Sequence, residues 1–256
     1  MQNKKLKAAG VFIFGLFIVG LLVLNTIKDK DNGKPKDVLG QEEVGAAIKQ
    51  TNYAKDTEYV VSEDDLLKAE ELLDNTDTVA VKLDEAEIAG LILMREEEKL
   101  ARDVYLTLYE EWGLKIFKNI AESEQTHTDA VKYLLDKYKL DDPVTNDEIG
   151  VFTAPEISKL YGKLVTEGEK SLLDALVVGA TVEDLDISDL DRLMNETKNP
   201  DILTVYENLQ RGSRNHLRAF NRQIVKNGSG YEAQYISSEE LEAIVNSDRE
   251  KGGGRR

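Results

Sequence analysis

Four long segments of this chain carry apolar residues at the spacing of an α-helix, and this pattern most limits how the chain can fold. The segments cover about residues 84–112, 115–139, 171–194 and 201–226. Only residues 78–83 alternate apolar and polar side chains as a β-strand would. Residues 140–170 separate the second segment from the third and carry a shorter helical pattern from Pro155 to Gly168. The sequence therefore predicts an all-α four-helix bundle with a long crossover between its second and third helices.

Capping residues support these helix boundaries. Asp84 with Glu87 at the first segment, and Ser237 with Glu240 before a short final helix, have the spacing of an N-terminal capping box. Proline and glycine residues separate the segments, because proline cannot continue a helix and glycine tolerates the conformations that end one. We therefore expect one compact helical region from residue 84 to residue 246.

The N-terminal residues predict a membrane segment. An uncharged apolar run extends from Ala8 to Ile27 and follows three nearby lysines. At about 1.5 Å per residue, a helix of this length spans a hydrocarbon core of roughly 30 Å. A secretory signal would end in a small-x-small cleavage site, which residues 25–28 do not offer. We therefore interpret residues 1–30 as an uncleaved signal anchor and a transmembrane helix, with cleavage and secretion as the alternative.

The remaining segments follow from this division. Residues 31–83 predict a polar tether with one short helix, whose N-terminal cap is Ser62 with Asp65. Residues 247–256 predict a disordered polar tail. The signal-like position of the anchor favours a single-pass membrane protein with an extracytoplasmic body, although lysines on both sides of the apolar run leave the orientation open.

Composition excludes several functional classes. The chain has no cysteine and only two histidines, which removes disulfides, thiolate metal sites and a three-histidine site within one chain. Its net charge of −16 argues against nucleic-acid binding, which requires an excess of lysine and arginine.

Ionisable residues lie on the apolar stripes of the first two long helices. When each helix is unrolled at about 100° per residue, Glu97 falls at the centre of the first stripe. Glu124 falls at the centre of the second stripe, and His127 lies about 60° away from it. Glu122 lies nearly opposite Glu124, which predicts a surface position for it.

The other two long helices repeat this pattern. Glu183 and Asp186 lie on the third stripe, and His216 lies on the fourth. Together with Glu97, Glu124 and His127 they make six inward ionisable groups. Four carboxylates in one apolar core would repel each other and be costly to desolvate, and two divalent cations would remove that objection. A mixed carboxylate–imidazole set suits iron or manganese, and a metal-free core is the alternative.

Four stretches of the sequence resemble a known family at this point. They are Met94–Ala101 (MREEEKLA), Ser123–His127 (SEQTH), Val178–Ile187 (VGATVEDLDI) and Gly212–Phe220 (GSRNHLRAF). In this order they resemble the ferritin-like di-iron carboxylate superfamily and, more closely, the uncharacterised DUF2202 family of bacteria and archaea. The resemblance spans about residues 84–226.

The resemblance implies a set of metal ligands. The superfamily takes a glutamate from helices 1 and 3 and an E-x-x-H pair from helices 2 and 4, which correspond here to Glu97, Glu124 with His127, Glu183 and His216. The sequence departs from that pattern at Ser213, which stands where helix 4 should carry a glutamate. Asp186 would restore the number of carboxylates. Further residues with a role beside the ligands would be Ser213, Asn215, Tyr105 and Tyr206.

The resemblance also implies a function. A pair of iron ions, alternatively manganese, would react with O₂ or H₂O₂ in oxidase, peroxidase or ferroxidase chemistry. The alternative is a metal-free ferritin-like binding or structural module at the cell surface. A metal-dependent hydrolase is less favoured, because no zincin motif or activated serine is present. The sequence leaves the oligomeric state open, with a dimer as one option.

Overall fold

The computed structural model describes residues 82–251, which form six α-helices and no β-strand. In chain order these helices are α1 (Glu85–Trp112), α2 (Lys115–Tyr138), α3 (Pro155–Gly168), α4 (Leu172–Glu196), α5 (Pro200–Lys226) and α6 (Ser238–Val245). The predicted all-α class is confirmed. The predicted membrane segment and residues 31–81 of the predicted tether lie outside the described residues. Between residues 82 and 251, no helix combines the length and the apolar character needed to cross a membrane.

Local sequence signals set the ends of the helices. Asp84 and Glu87 form a reciprocal capping box at the start of α1, and Gly113 ends that helix with a left-handed φ of 64°. The Ser171 side chain caps α4, and the Asn199 side chain accepts hydrogen bonds from two backbone N–H groups in the first turn of α5. The predicted boundaries therefore agree with the structure to within one or two residues.

The four long helices enclose the core. α1 packs along α2, and α4 packs along α5. α1 also contacts α4, and α2 contacts α5, so each long helix touches two others. The short α3 belongs to the connection between α2 and α4 and packs against α1 and α4, while α6 packs on α5.

Two apolar clusters form this core. The first contains the aromatic side chains of Tyr105, Phe117 and Phe220, and the second contains Met94 and Leu134. On α1, α2 and α5 a buried polar stretch lies between the residues of the two clusters. The inward ionisable residues therefore occupy a layer inside the protein rather than an edge of it.

The loop after α2 is tied to α1 by contacts to buried charged side chains of α1, and we call this set the crossover clamp. It consists of Arg95, Lys99, Arg102 and Asp103 on α1 with Asp142, Asp147 and Glu148 in the loop. Lys99 is fully buried, and its Nζ donates to Asp103 Oδ2 at 2.5 Å and to the Glu148 carbonyl at 2.9 Å. Arg95 holds both carboxylate oxygens of Asp142 at 3.0 Å. The clamp thereby buries a face of α1 that would otherwise be exposed to solvent.

The first residues of the predicted polar tail contact α5. Glu250 accepts hydrogen bonds from Arg214 and Arg218, and its backbone N–H and carbonyl bond the Asn215 side chain. These contacts hold residue 250 against the outer face of the helix that carries His216.

Candidate metal centre

Three carboxylates and two imidazoles meet in the polar layer. Glu98, Glu124 and His127 form one group, and Glu124, Glu183 and His216 form another. Within each group the ligand atoms lie within 4.8 Å of one another. All five side chains are buried. We call these five residues the carboxylate–histidine group; they come from all four long helices.

Glu124 belongs to both halves of the group. Its Oε2 lies 2.8 Å from His127 Nδ1, and its Oε1 lies 2.8 Å from His216 Nδ1. This second contact is an ion pair, and Oε1 has no further hydrogen-bond donor within the described residues. One carboxylate therefore faces two imidazole nitrogens, one with each oxygen.

Each imidazole also faces a second carboxylate. His127 Nδ1 lies 3.2 Å from Glu98 Oε2, and His216 Nδ1 lies 3.5 Å from Glu183 Oε2. The two rings are stacked, with centroids 5.7 Å apart and planes inclined by 26°. Each imidazole therefore faces Glu124 and one further carboxylate, so the two halves of the group are alike.

Mutual proximity shifts the pKa values in the group. Burial opposes charge on His127, but Glu124 and Glu98 outweigh it and raise the pKa of His127 to about 10. The carboxylates Glu124 and Glu183 likewise raise the pKa of His216 despite burial. Burial also disfavours charge on Glu124, yet the two imidazoles lower its pKa. Without a metal, the neighbouring carboxylates therefore favour the protonated form of both imidazoles.

The two outer carboxylates behave differently. Burial raises the pKa of Glu98 to about 7, against the opposing effect of His127. Burial and the Glu124 charge raise the pKa of Glu183 to about 7. Glu98 Oε1 accepts no hydrogen bond within the described residues, so part of its hydrogen-bonding capacity is unused.

Neighbouring residues fix the orientation of the group. The Tyr105 hydroxyl donates to Glu183 Oε1 at 2.5 Å, and Ser123 Oγ lies 3.1 Å from His216 Nε2. Gly212 makes room for the other imidazole, because a Cβ there would lie 2.5 Å from His127 Cε1 and 2.6 Å from its Nε2. These contacts leave Nδ1 of both rings facing the carboxylates.

The sequence predicted Glu97 as the metal ligand on α1, whereas the clustered ligand atoms include its neighbour Glu98, so the role of Glu97 as a ligand stays a prediction. Glu98 belongs to the group, whereas Glu97 lies outside it and lines an adjacent cavity. Residues 94–105 are buried on every side of α1, since the crossover clamp covers one face. The apolar stripe therefore does not identify the side that faces the other helices. Spacing does not separate the two glutamates either, because the residues seven positions from Glu97 (Gly90 and Val104) are buried, as are those seven positions from Glu98 (Leu91 and Tyr105).

Asp186 and Ser213 pair with each other beside the group. The Ser213 hydroxyl donates to Asp186 Oδ2, and it also lies 3.1 Å from the Leu209 carbonyl. Asp186 is in neither group of clustered ligand atoms and lines the cavity together with Glu97. Its predicted role as a metal ligand stays a prediction.

The other three predicted residues differ in whether they contact the carboxylate–histidine group. Tyr105 contacts the group directly through Glu183. Tyr206 is buried near Gly90, and burial with the nearby Glu97 raises its pKa. Asn215 faces away from the group and bonds Glu250 and Arg218, so it has no contact with the imidazoles. Sequence reasoning did not single out Ser123 or Gly212, because their contacts arise only when α2 and α5 pack together.

The fold and the site define an all-helical protein with a buried carboxylate–histidine group. The chain belongs to the DUF2202 family, whose description, "Uncharacterized protein domain (DUF2202)", matches residues 87–248. The resemblance to the DUF2202 family, predicted from the four sequence stretches, is thereby confirmed.

A relative and a solved structure extend this comparison. The chain is similar to "Uncharacterized protein MJ0754" of Methanocaldococcus jannaschii, with 64% identity over 173 residues that cover 68% of this chain and 94% of the relative. It is also similar to the crystal structure of hypothetical protein MJ0754 from Methanococcus jannaschii, with 62% identity and a TM-score of 0.67. That match covers 68% of this chain and the whole of the solved chain.

Proposed function

We propose that α1, α2, α4 and α5 form a ferritin-like four-helix bundle that binds two iron ions, alternatively manganese, in its core. The observation that carries the proposal is the position of Glu124, whose two oxygens face Nδ1 of His127 and of His216 at 2.8 Å each. A carboxylate between two equivalent nitrogen donors is suited to bridging two metal ions.

The donor set fits such a pair of ions. Imidazole nitrogen and carboxylate oxygen together suit iron and manganese, and the absence of cysteine in the chain removes the softer ligands. Three carboxylates offset three of the four positive charges of two divalent ions. Glu98 Oε1 and Glu124 Oε1, which accept no hydrogen bond within residues 82–251, supply free lone pairs for them.

We further propose an oxidoreductase of the oxidase, peroxidase or ferroxidase type. When bound, the metal pair would supply the electrons for reaction with O₂ or H₂O₂. The protein side chains position the ligands: the Tyr105 hydroxyl holds Glu183, Ser123 orients the His216 ring, and Gly212 leaves space for His127. The apolar clusters on both sides keep bulk water away from this layer.

We also propose that the apolar run from Ala8 to Ile27 anchors the protein in a membrane. The length of the run and its lack of charge support an anchor that places the helical body outside the cytoplasm. A protease added to intact producing cells or to sealed right-side-out membranes tests this placement and should digest the helical body. Digestion only after the membrane has been permeabilised would contradict it.

A metal-free module is the second candidate. One observation favours it, because two protonated imidazoles opposite three carboxylates already offset most of the buried negative charge. Such a module would need no cation for stability, and this difference makes the two candidates separable.

Anaerobic Fe²⁺ loading of the full chain in detergent, followed by desalting and elemental analysis, tests the metal centre. The wild type should retain about two iron ions per chain, and Glu124→Gln should lose both. Glu122→Gln is the matched control, since Glu122 is an exposed acid on the same helix. Iron-free wild type would support the metal-free module. Mixing the loaded protein with O₂ or H₂O₂ and following the optical spectrum then tests the redox chemistry.

A further inference from the structure

A small cavity adjoins the carboxylate–histidine group between α1 and α4. It is lined by five acids and four apolar residues: Glu97, Glu98, Glu124, Glu183, Asp186, Leu100, Ala101, Val182 and Leu185. Three of the acids belong to the group. The other two, Glu97 and Asp186, have no place in it, so the cavity extends the acidic region beyond the five residues.

Glu97 is the unexplained member of this lining. Its side chain is buried, with 6% of the residue exposed, and its Oε2 accepts no hydrogen bond within the described residues. A buried carboxylate oxygen without a donor destabilises a folded protein unless another group compensates for it. Burial together with the charges of Asp189, Asp186 and Glu98 raises the pKa of Glu97. The positive charge of Arg192 on α4 partly opposes this shift.

Asp186 on α4 is the second acid of the lining that lies outside the group. Its Oδ2 accepts the Ser213 hydroxyl, and its side chain is partly exposed. Asp189 lies one turn further along α4, where it pairs with Arg192 at 2.7 Å. Acidic side chains therefore continue from the partly exposed surface of α4 to the buried Glu97 and Glu98.

We propose that Glu97 and Asp186 form a third divalent-cation site in this cavity, next to the proposed metal pair and sharing Glu98 with it. The inference rests on the proposed function for the identity of the neighbouring pair. All donors of the third site are oxygen atoms, which suits hard cations such as Mn²⁺ and Fe²⁺ and should bind them less tightly than a site with imidazole.

Cation stoichiometry tests this site. Anaerobic equilibrium dialysis of the full chain in detergent against Mn²⁺ should give three ions per chain for the wild type. Glu97→Gln and Asp186→Asn should each give two ions, with the weakest binding step lost, and Glu122→Gln should still give three. Circular dichroism confirms that each variant is folded, and Glu97→Asp provides a second variant should Glu97→Gln not fold.

The outcomes separate this inference from the proposed function. Two ions in the wild type, unchanged in Glu97→Gln but lost in Glu124→Gln, would overturn the third site and leave the metal pair intact. Loss of all three ions in folded Glu97→Gln would also overturn it, because Glu97 would then belong to the pair. A wild type that binds a single ion, lost in Glu97→Gln and kept in Glu124→Gln, would support the cavity site and refute the pair.

Discussion

α1 carries two groups of buried charge that differ in how completely their atoms are paired. In the crossover clamp, Lys99, Arg102 and Asp103 satisfy each other and the loop, and none of their buried side-chain atoms lacks a partner within residues 82–251. In the carboxylate–histidine group, Glu98 and Glu124 each keep an oxygen that accepts no hydrogen bond from the described part of the chain.

This difference separates a structural role from a ligand-binding one. A buried ion network that is satisfied by the protein alone stabilises one arrangement of the chain, here the position of the loop on α1. A network with more acidic groups than cationic groups, and with unused lone pairs, is stabilised most by an added cation. The comparison predicts that clamp variants lose stability with or without metal, whereas variants of the carboxylate–histidine group lose a stabilisation that depends on metal.

The largest expected effect is in the clamp. Asp103→Ala leaves Lys99 and Arg102 buried without their shared carboxylate, which should lower the free energy of unfolding by about 3–5 kcal/mol. Urea unfolding with and without Mn²⁺ measures this, and the loss should be the same in both conditions. A loss seen only with Mn²⁺ would place Asp103 in the metal-binding region instead.

The second expected effect concerns pH and metal affinity. Metal binding requires neutral imidazoles, and the metal-free protein holds protons on His127 and His216 because nearby carboxylates raise both pKa values. Affinity should therefore rise with pH from 6 to 8, by up to about a hundredfold per unit if both protons leave. Calorimetric Mn²⁺ titration in buffers of different ionisation enthalpy counts these protons. An affinity that does not change with pH would contradict the assigned protonation.

The third expected effect is steric. Gly212→Ala places a Cβ against the His127 ring, which should cost about 1–3 kcal/mol and move the imidazole from Glu124. Metal content after Mn²⁺ loading should fall together with stability. Gly162→Ala is the matched control, since a Cβ there meets no atom within 4 Å. Full metal content in folded Gly212→Ala would mean that the position of His127 does not determine binding.

The smallest expected effect is the loss of one hydrogen bond. Tyr105→Phe removes the donor to Glu183 while keeping the ring between Phe117 and Phe220, and it should cost about 1–2 kcal/mol. The pair of ions should remain bound with lower affinity, measured by Mn²⁺ titration. Unchanged affinity would restrict Tyr105 to packing.

The choice between Glu97 and Glu98 marks the limit of sequence reasoning here. On α2 the apolar stripe identified Glu124 correctly as an inward residue, because the opposite face of that helix is exposed at Glu122. On α1 the clamp buries the opposite face as well, so burial no longer indicates which side meets the other helices. The prediction depended on a contrast between a buried and an exposed face of α1. The loop after α2 removes that contrast because it covers the second face.

The sequence by itself determined the helices, their caps and the inward positions of Glu124, His127, Glu183 and His216, because these depend on local hydrogen bonding and on the period of a single helix. Only the tertiary structure decided which side of α1 completes the group, that Asp186 bonds Ser213, and that Glu97 faces a cavity. Those features depend on the rotation of each helix against its neighbours, which side-chain packing across all four long helices fixes together.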